Sequence, residues 1–526
     1  MCYILVSEPH LKVAARQDSV ENVRRRALIE RGDRLDRAPL SGGPEALSRE
    51  STWCESRMSE RHESAELRES TRGRSWPRRV VNRFEVDRAT FYAVASRGWQ
   101  LAAGPLTMVI IALWLRAEQQ GYYYTFASLL AIQGLVELGL HVVILNVASH
   151  EWARLRLEPD GSVTGDAGAL GRLAQLVRFV SRTYGGIALM FVLTAGIAGV
   201  LLFRSRPEEG VDWMAPWLTL VVVNGGVIWI WSRTAVLEGC NQVAVVHGVR
   251  LAQAVTGSIV VWSCILLGAG LWALVASAVA RLVWDFWLVF VRHHRFFASV
   301  VNADSDENAG LDWRTDIWPL QWRLAMRAVV GYFALNLFTP VIFHYHGAVE
   351  AGKMGMTWTA LTALEAAAFA WMQTRTARFG MLAAQRDFVE FDRVYRRLTL
   401  VSTVVLVCGS VVLCVAVLLL NSIPFAIAEK VADRLLPLGP TVLFCAGLTL
   451  FHLPKCQNIY VQAHRKDPLM LPSVIMAGLI ALAVWQGGRI SATQQAWGYL
   501  IAVGALYLPV STWVWARFRR ARNATD

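Results

Sequence analysis

Gln133, Glu137 and His141 recur every four residues in the apolar stretch "LLAIQGLVELGLHVVIL". At that spacing they share one face of a helix. An acid held in lipid either pairs with a base, carries a proton or cation, or sits neutral and hydrogen-bonded. Glu365 occupies a similar place in "WTALTALEAAAFAWM". Neither acid has a Lys or Arg four positions away, so a role at a wet cavity is the reading preferred for both.

Basic residues form a second group. Arg97 and Gln100 share a face at i and i+3, and Arg327 lies near the start of its own apolar run. His247, Arg250 and Gln253 form a polar strip on another run. Guanidinium groups stay charged and bind phosphate in two-pronged fashion, so Arg97, Arg327, Arg250 and Gln100 are candidate contacts for an anionic headgroup. Glu137, Glu365 and His141 are candidate ion-coupling groups. Arg281 and Asp285, four apart in "ARLVWDFW", are read as a self-neutralising intramembrane ion pair. Arg233 and Glu238 end a run and are read as interfacial charge.

Other patterns carry little. "DSD" at 304–306 lies in an acidic linker, and "HYH" at 344–346 and "HH" at 293–294 are not metal sites by themselves. No Walker A loop, nucleophile elbow or dinucleotide fingerprint occurs, and no CxxC pair. The expectation is no cofactor, no metal and no enzymatic activity.

These residues need membrane helices to position them. The chain has 526 residues, 55% hydrophobic and 17% charged, with a mean hydropathy of +0.37. Its apolar residues cluster in runs of about 20, the length that crosses a bilayer core. The 22 tryptophans suit membrane interfaces, and the net charge of +12 suits inward loops better than nucleic acid. About twelve spans are expected: near 91–115, 124–149, 179–203, 215–236, 243–267, 271–291, 324–345, 357–378, 398–421, 436–456, 469–486 and 496–516. With both termini inward, the inward loops hold about 24 Lys and Arg and the outward loops about 7.

The fold class is therefore all-α integral membrane, with the spans in two six-helix lobes around a central cavity. The divisions are a polar, disordered leader at 1–88, a first lobe at 89–300, a cytoplasmic linker at 301–322 and a second lobe at 323–526. Part of the leader is suspected to be an over-extended start. The halves look duplicated: Arg97 precedes Glu137 by 40 residues and Arg327 precedes Glu365 by 38. Gly104-Pro105 and Pro340 interrupt the first span of each half, and no lysine stands out in the cavity spans.

Three passages carry a family resemblance. "RGWQLAAGPLTMVIIALWLRAEQQGYYYTFASLLAIQGLVELGL", "AVLEGCNQVAVVHGVRLAQ" and "WTALTALEAAAFAWMQTRTARFGMLAAQRD" resemble, in order, the opening helix pair, the inward turn between spans four and five, and span eight of a known superfamily. It is that of the multidrug, oligosaccharidyl-lipid and polysaccharide exporters, kin of the MATE antiporters. The resemblance implies a polysaccharide-biosynthesis flippase: a V-shaped pair of lobes moving a polyprenyl-pyrophosphate sugar across the bacterial inner membrane by alternating access. It also implies a lipid-linked glycan, membrane lipid and other polysaccharide-assembly proteins as partners, and no nucleic acid. The alternatives are a MATE-like cation-coupled antiporter and a non-transporting scaffold of an assembly complex.

Overall fold

A computed structural model of the chain describes residues 88–134, 140–206, 208, 210–302, 326, 331–333, 335–464 and 467–523. Most of the leader and linker, with Glu137, Arg327 and the DSD triplet, lie outside these residues.

The first half begins with α1 (Arg88–Trp114), α2 (Ala117–Leu130) and α3 (Leu140–Trp152). A hairpin of β1 (Leu155–Leu157) and β2 (Val163–Gly165) follows. Then come α4 (Ala167–Ser205), α5 (Met214–Gly239), α6 (Val243–Leu266), α7 (Trp272–Phe286) and α8 (His294–Val301). The second half holds α9 (Phe338–His346), α10 (Ala348–Gln373), α11 (Thr376–Ala384), α12 (Phe388–Ser422), α13 (Ala426–Ala432), α14 (Leu438–Ala463), α15 (Met470–Ile490), α16 (Ala492–Ile501) and α17 (Leu508–Asn523). π-helical turns at Trp287–Arg292 and Ala502–Tyr507 extend α7 and join α16 to α17.

Among the described residues, 7 helical runs are long and apolar enough to cross a membrane: α4, α5, α6, α7 with its π turn, α12, α15, and α16 through α17. Those expected spans that are not on this roll include α1, α10 and α14, whose 26 or 27 residues are long enough but hold more polar groups. Helix starts follow from local chemistry. Asp166, Asp387 and Ser491 cap α4, α12 and α16 by accepting from the amides of Ala169, Glu390 and Gln494.

Each half is built from the same packing scheme. In the first, α1 packs on α6, α3 on α5, α4 on α5, α5 on α7 and α6 on α7. In the second, α9 packs on α15, α10 on α14, α12 on α14, α14 on α16 and α15 on α16. Counted in spans, these are the same five pairings. The packing thus repeats between the halves. Indole donors bind the first half together: Trp99 to Ser258 at 3.3 Å, Trp262 to Thr107 at 2.8 Å and Trp284 to Thr256 at 3.1 Å. In lipid no water can take that role.

One local expectation is revised, and one element is new. The spans expected at 324–345 and 357–378 leave "HGAVEAGKMG" between them as an outward loop, yet Gly347 alone makes the turn, at φ +86°, and α10 starts at Ala348. The small residues there allow a tight helix crossing that a loop could not make. The connection from α3 to α4, between the spans expected at 124–149 and 179–203, holds the hairpin. Leu155 and Val163 point inward and Asp160-Gly161 makes the turn. Ser299 Oγ accepts from Val163 N at 3.0 Å and Arg295 donates to Asp160 O at 3.2 Å, tying the hairpin to α8. The Thr164 hydroxyl holds the Glu158 carboxyl below the usual carboxylate range.

The halves meet at one end, the end expected to face outward. α2 crosses α10 where Gly121 sits against the Ala348 carbonyl, leaving no room for a Cβ. A Cβ on Gly352 would in turn lie 3.0 Å from the Gly121 nitrogen. Around this crossing Tyr122, Phe203 and Phe343 pack with ring centroids 5.0–5.3 Å apart. Arg206 donates to Tyr345 O at 3.1 Å, and Glu208 accepts from Ala348 N at 3.4 Å.

Candidate functional site

Each half encloses a buried acid with bases drawn from other spans around it. In the second half the acid is Glu365 of α10. Lys455 Nζ, on α14, lies 2.6 Å from its Oε1, and His452 Nδ1 lies 3.5 Å from the same oxygen. The other imidazole nitrogen of His452 is 2.9 Å from Ser402 Oγ on α12 and 3.5 Å from Cys456 Sγ. Glu365, His452 and Ser402 are all buried. The Lys455 ammonium also sits 4.5 Å from the centre of the Phe369 ring, a cation–π contact. The result is a chain of exchangeable groups running through three helices.

Lys455 and His452 reach Glu365 because α10 packs on α14. Their i,i+3 spacing puts both on one face of α14. Glu365 has no Lys or Arg at four residues because its base comes from a different span. The expectation that no lysine stands out in these spans is corrected: Lys455 lies inside α14. The signal was in the sequence, since "FHLPKCQ" places a His and a Lys in an apolar run.

In the first half the acid is Glu238, near the end of α5. His141 Nε2, on α3, lies 3.2 Å from its Oε2, and Arg250 of α6 pairs with its Oε1. His247 is buried one turn before Arg250. Glu238 is itself buried, which corrects its reading as ordinary interfacial charge. The two clusters occupy equivalent helix pairs with the signs exchanged. In the first half the imidazole is on the second span and the acid on the fourth. In the second half the acid is on the eighth and the imidazole on the tenth.

The remaining candidates fall as follows. Arg97 and Gln100 are exposed on α1, with no hydrogen-bond or ionic partner among the described residues. Arg250 is engaged by Glu238 and 32% exposed, so its charge is partly neutralised. Asp285 is buried and accepts from Gln253 at 2.7 Å, within electrostatic reach of Arg281. The Arg281 guanidinium lies 4.7 Å over the Trp231 ring. Arg233 stacks on Trp229 at 4.3 Å and Phe290 at 5.4 Å. His344 and His346 diverge, one to Ser205 Oγ at 3.3 Å and the other to Gly488 O at 2.8 Å. Glu137 and Arg327 are outside the described residues, so the pairing of Glu137 with Glu365 by depth has no geometry here.

No protein-family model and no curated protein matches the sequence. Solved structures do match the fold. One is a multidrug resistance MATE family transporter of the MOP superfamily in its inward-facing conformation. It aligns with a TM-score of 0.60 at 14% identity, over 82% of this chain and 99% of that one. Another is the lipid II flippase MurJ in an inward closed conformation, with a TM-score of 0.55 at 12% identity, over 80% of this chain and 87% of that one. The chain has the multi-span helical fold of these proteins.

Proposed function

We propose that the chain is a membrane transporter that works by alternating access and carries a lipid-linked oligosaccharide from the inner to the outer leaflet. The observation that carries this reading is Arg97, exposed on α1 with no partner among the described residues. A guanidinium facing hydrocarbon is costly, so it belongs at a wet space or at an anionic ligand. The first half is also rich in bases. His141, His247 and Arg250 lie around Glu238, and Arg281 lies within electrostatic reach of Asp285. A pyrophosphate headgroup suits such a field, whereas an organic cation gains nothing from it.

The closed outer end and the repeated halves support rocking of one half against the other. The cargo would enter from the inward side. The fold is shared with both a multidrug transporter and a lipid II flippase, so it favours neither cargo.

A second reading, a MATE-like cation-coupled antiporter, rests on the two buried acids Glu238 and Glu365. The test is transport by the purified protein in proteoliposomes, with a fluorescent polyprenyl-pyrophosphate sugar in one arm and a small organic cation in the other. Movement of the glycan lipid that is lost in Arg97→Ala supports the first reading. Movement of the cation alone, driven by a proton or sodium gradient, replaces it with the second.

A further inference from the structure

The contacts that close the outer end include cations placed on backbone carbonyls of the opposite half: Arg206 on Tyr345 O, and a second pair at the end of α1. α1 ends at Trp114, so its last carbonyls lack partners within the helix. Cations from the opposite half take that place. Lys430 Nζ lies 2.6 Å from Leu113 O, and Arg434 Nη2 lies 2.8 Å from Leu115 O, just past the helix end. Positive charge at a helix C-terminus is also favoured by the helix dipole. Gln120 Nε2 completes the set, donating to Arg434 O at 3.1 Å and to Gly352 O at 3.0 Å.

Lys430 and Arg434 sit on one segment, the α12–α14 connection that holds α13. Its far end is pinned to α10, where Thr357 Oγ1 accepts from Leu436 N at 2.9 Å. Three of its apolar side chains, Ile423, Phe425 and Ile427, are 49%, 61% and 51% exposed, while Val431, Leu435 and Leu436 pack with the core that holds Ile111 and Leu115. Its hydrogen bonds to α1 come from Lys430 and Arg434. Lys430 is exposed, and Arg434 is half-buried with its Nη1 enclosed and unpartnered. A cation–carbonyl bond near water can be exchanged for hydration at small net cost, unlike an apolar contact.

We propose that the α12–α14 connection is a latch. Lys430 and Arg434 hold the outer end closed by capping α1, and let go when the halves rock. The proposal rests on the alternating-access reading above.

The test is hydrogen–deuterium exchange of the full-length protein in lipid nanodiscs. In Lys430→Ala/Arg434→Ala, amides in 110–124 and 346–358 should exchange faster, by about tenfold for each charged donor removed. Exchange in the inward halves of α12 and α14 should not change. Lys430→Arg should stay near wild type. Unchanged exchange in the two outer segments, or an equal rise across all helices, overturns the latch. The wild-type protein gives a second measurement that needs no variant. Exchange of the same segments should rise between about 0.1 and 1 M salt, as screening tightens, and a flat response overturns the proposal. Faster outer exchange with no glycan lipid moved by the wild type would keep the latch and sink the cargo reading. Glycan transport with unchanged outer exchange would do the reverse.

Discussion

Lys455 Nζ lies 2.6 Å from Glu365 Oε1, and the two residues are 90 positions apart. Both sit inside helices of an apolar bundle, where neither charge could stand alone. Removing either partner leaves the other buried and uncompensated. Lys455→Met should destabilise the protein by about 3–5 kcal/mol, and Glu365→Gln by a similar amount. The double variant should lose less than the sum, with a coupling energy of about 1–3 kcal/mol. Thermal unfolding in a fixed detergent measures all three. Strict additivity would mean the ion pair does not form.

The Glu238 cluster predicts a different pattern. Glu238 keeps either His141 or Arg250 when the other is lost. Arg250→Ala and His141→Ala should each cost less than Glu238→Ala, because Glu238→Ala leaves several bases facing one another. A ranking with Glu238→Ala as the mildest change would show that the acid does not organise this site.

Arg97 has no structural partner among the described residues, so its loss should leave the fold unharmed. Arg97→Ala is expected to keep the thermal midpoint within about 2 °C of wild type, as for a surface change. Glycan-lipid movement should fall at least about tenfold, the scale of one lost charged hydrogen bond. Wild-type transport by this variant removes the anionic-headgroup role.

Gly121 faces the Ala348 carbonyl with no space for a side chain. Gly121→Val should force α2 from α10 and open the outer end without disturbing either half internally. Cysteine-free spin-label pairs across the outer ends should then report a longer distance, while pairs within one half stay fixed. Gly98, with open space around it, is the control: Gly98→Ala should change neither distance.

Much of this protein is written in its sequence. Apolar runs of bilayer length set the spans, because lipid tolerates only helices whose backbone groups are satisfied internally. The repeat shows in the packing, where each half makes the same pairings; α1 runs unbroken through Gly104-Pro105, where a break was expected. Even Lys455 and His452 were visible as polar residues in an apolar run. What one-dimensional reading could not give is the partner of each charge. Glu365 looked unpaired because periodicity only shows neighbours at three and four residues. Its base came from two spans away. Glu238 looked like loop charge until α3 and α6 closed over it. Distance along the chain says little about who neutralises whom, and in low dielectric that choice decides what each residue can do.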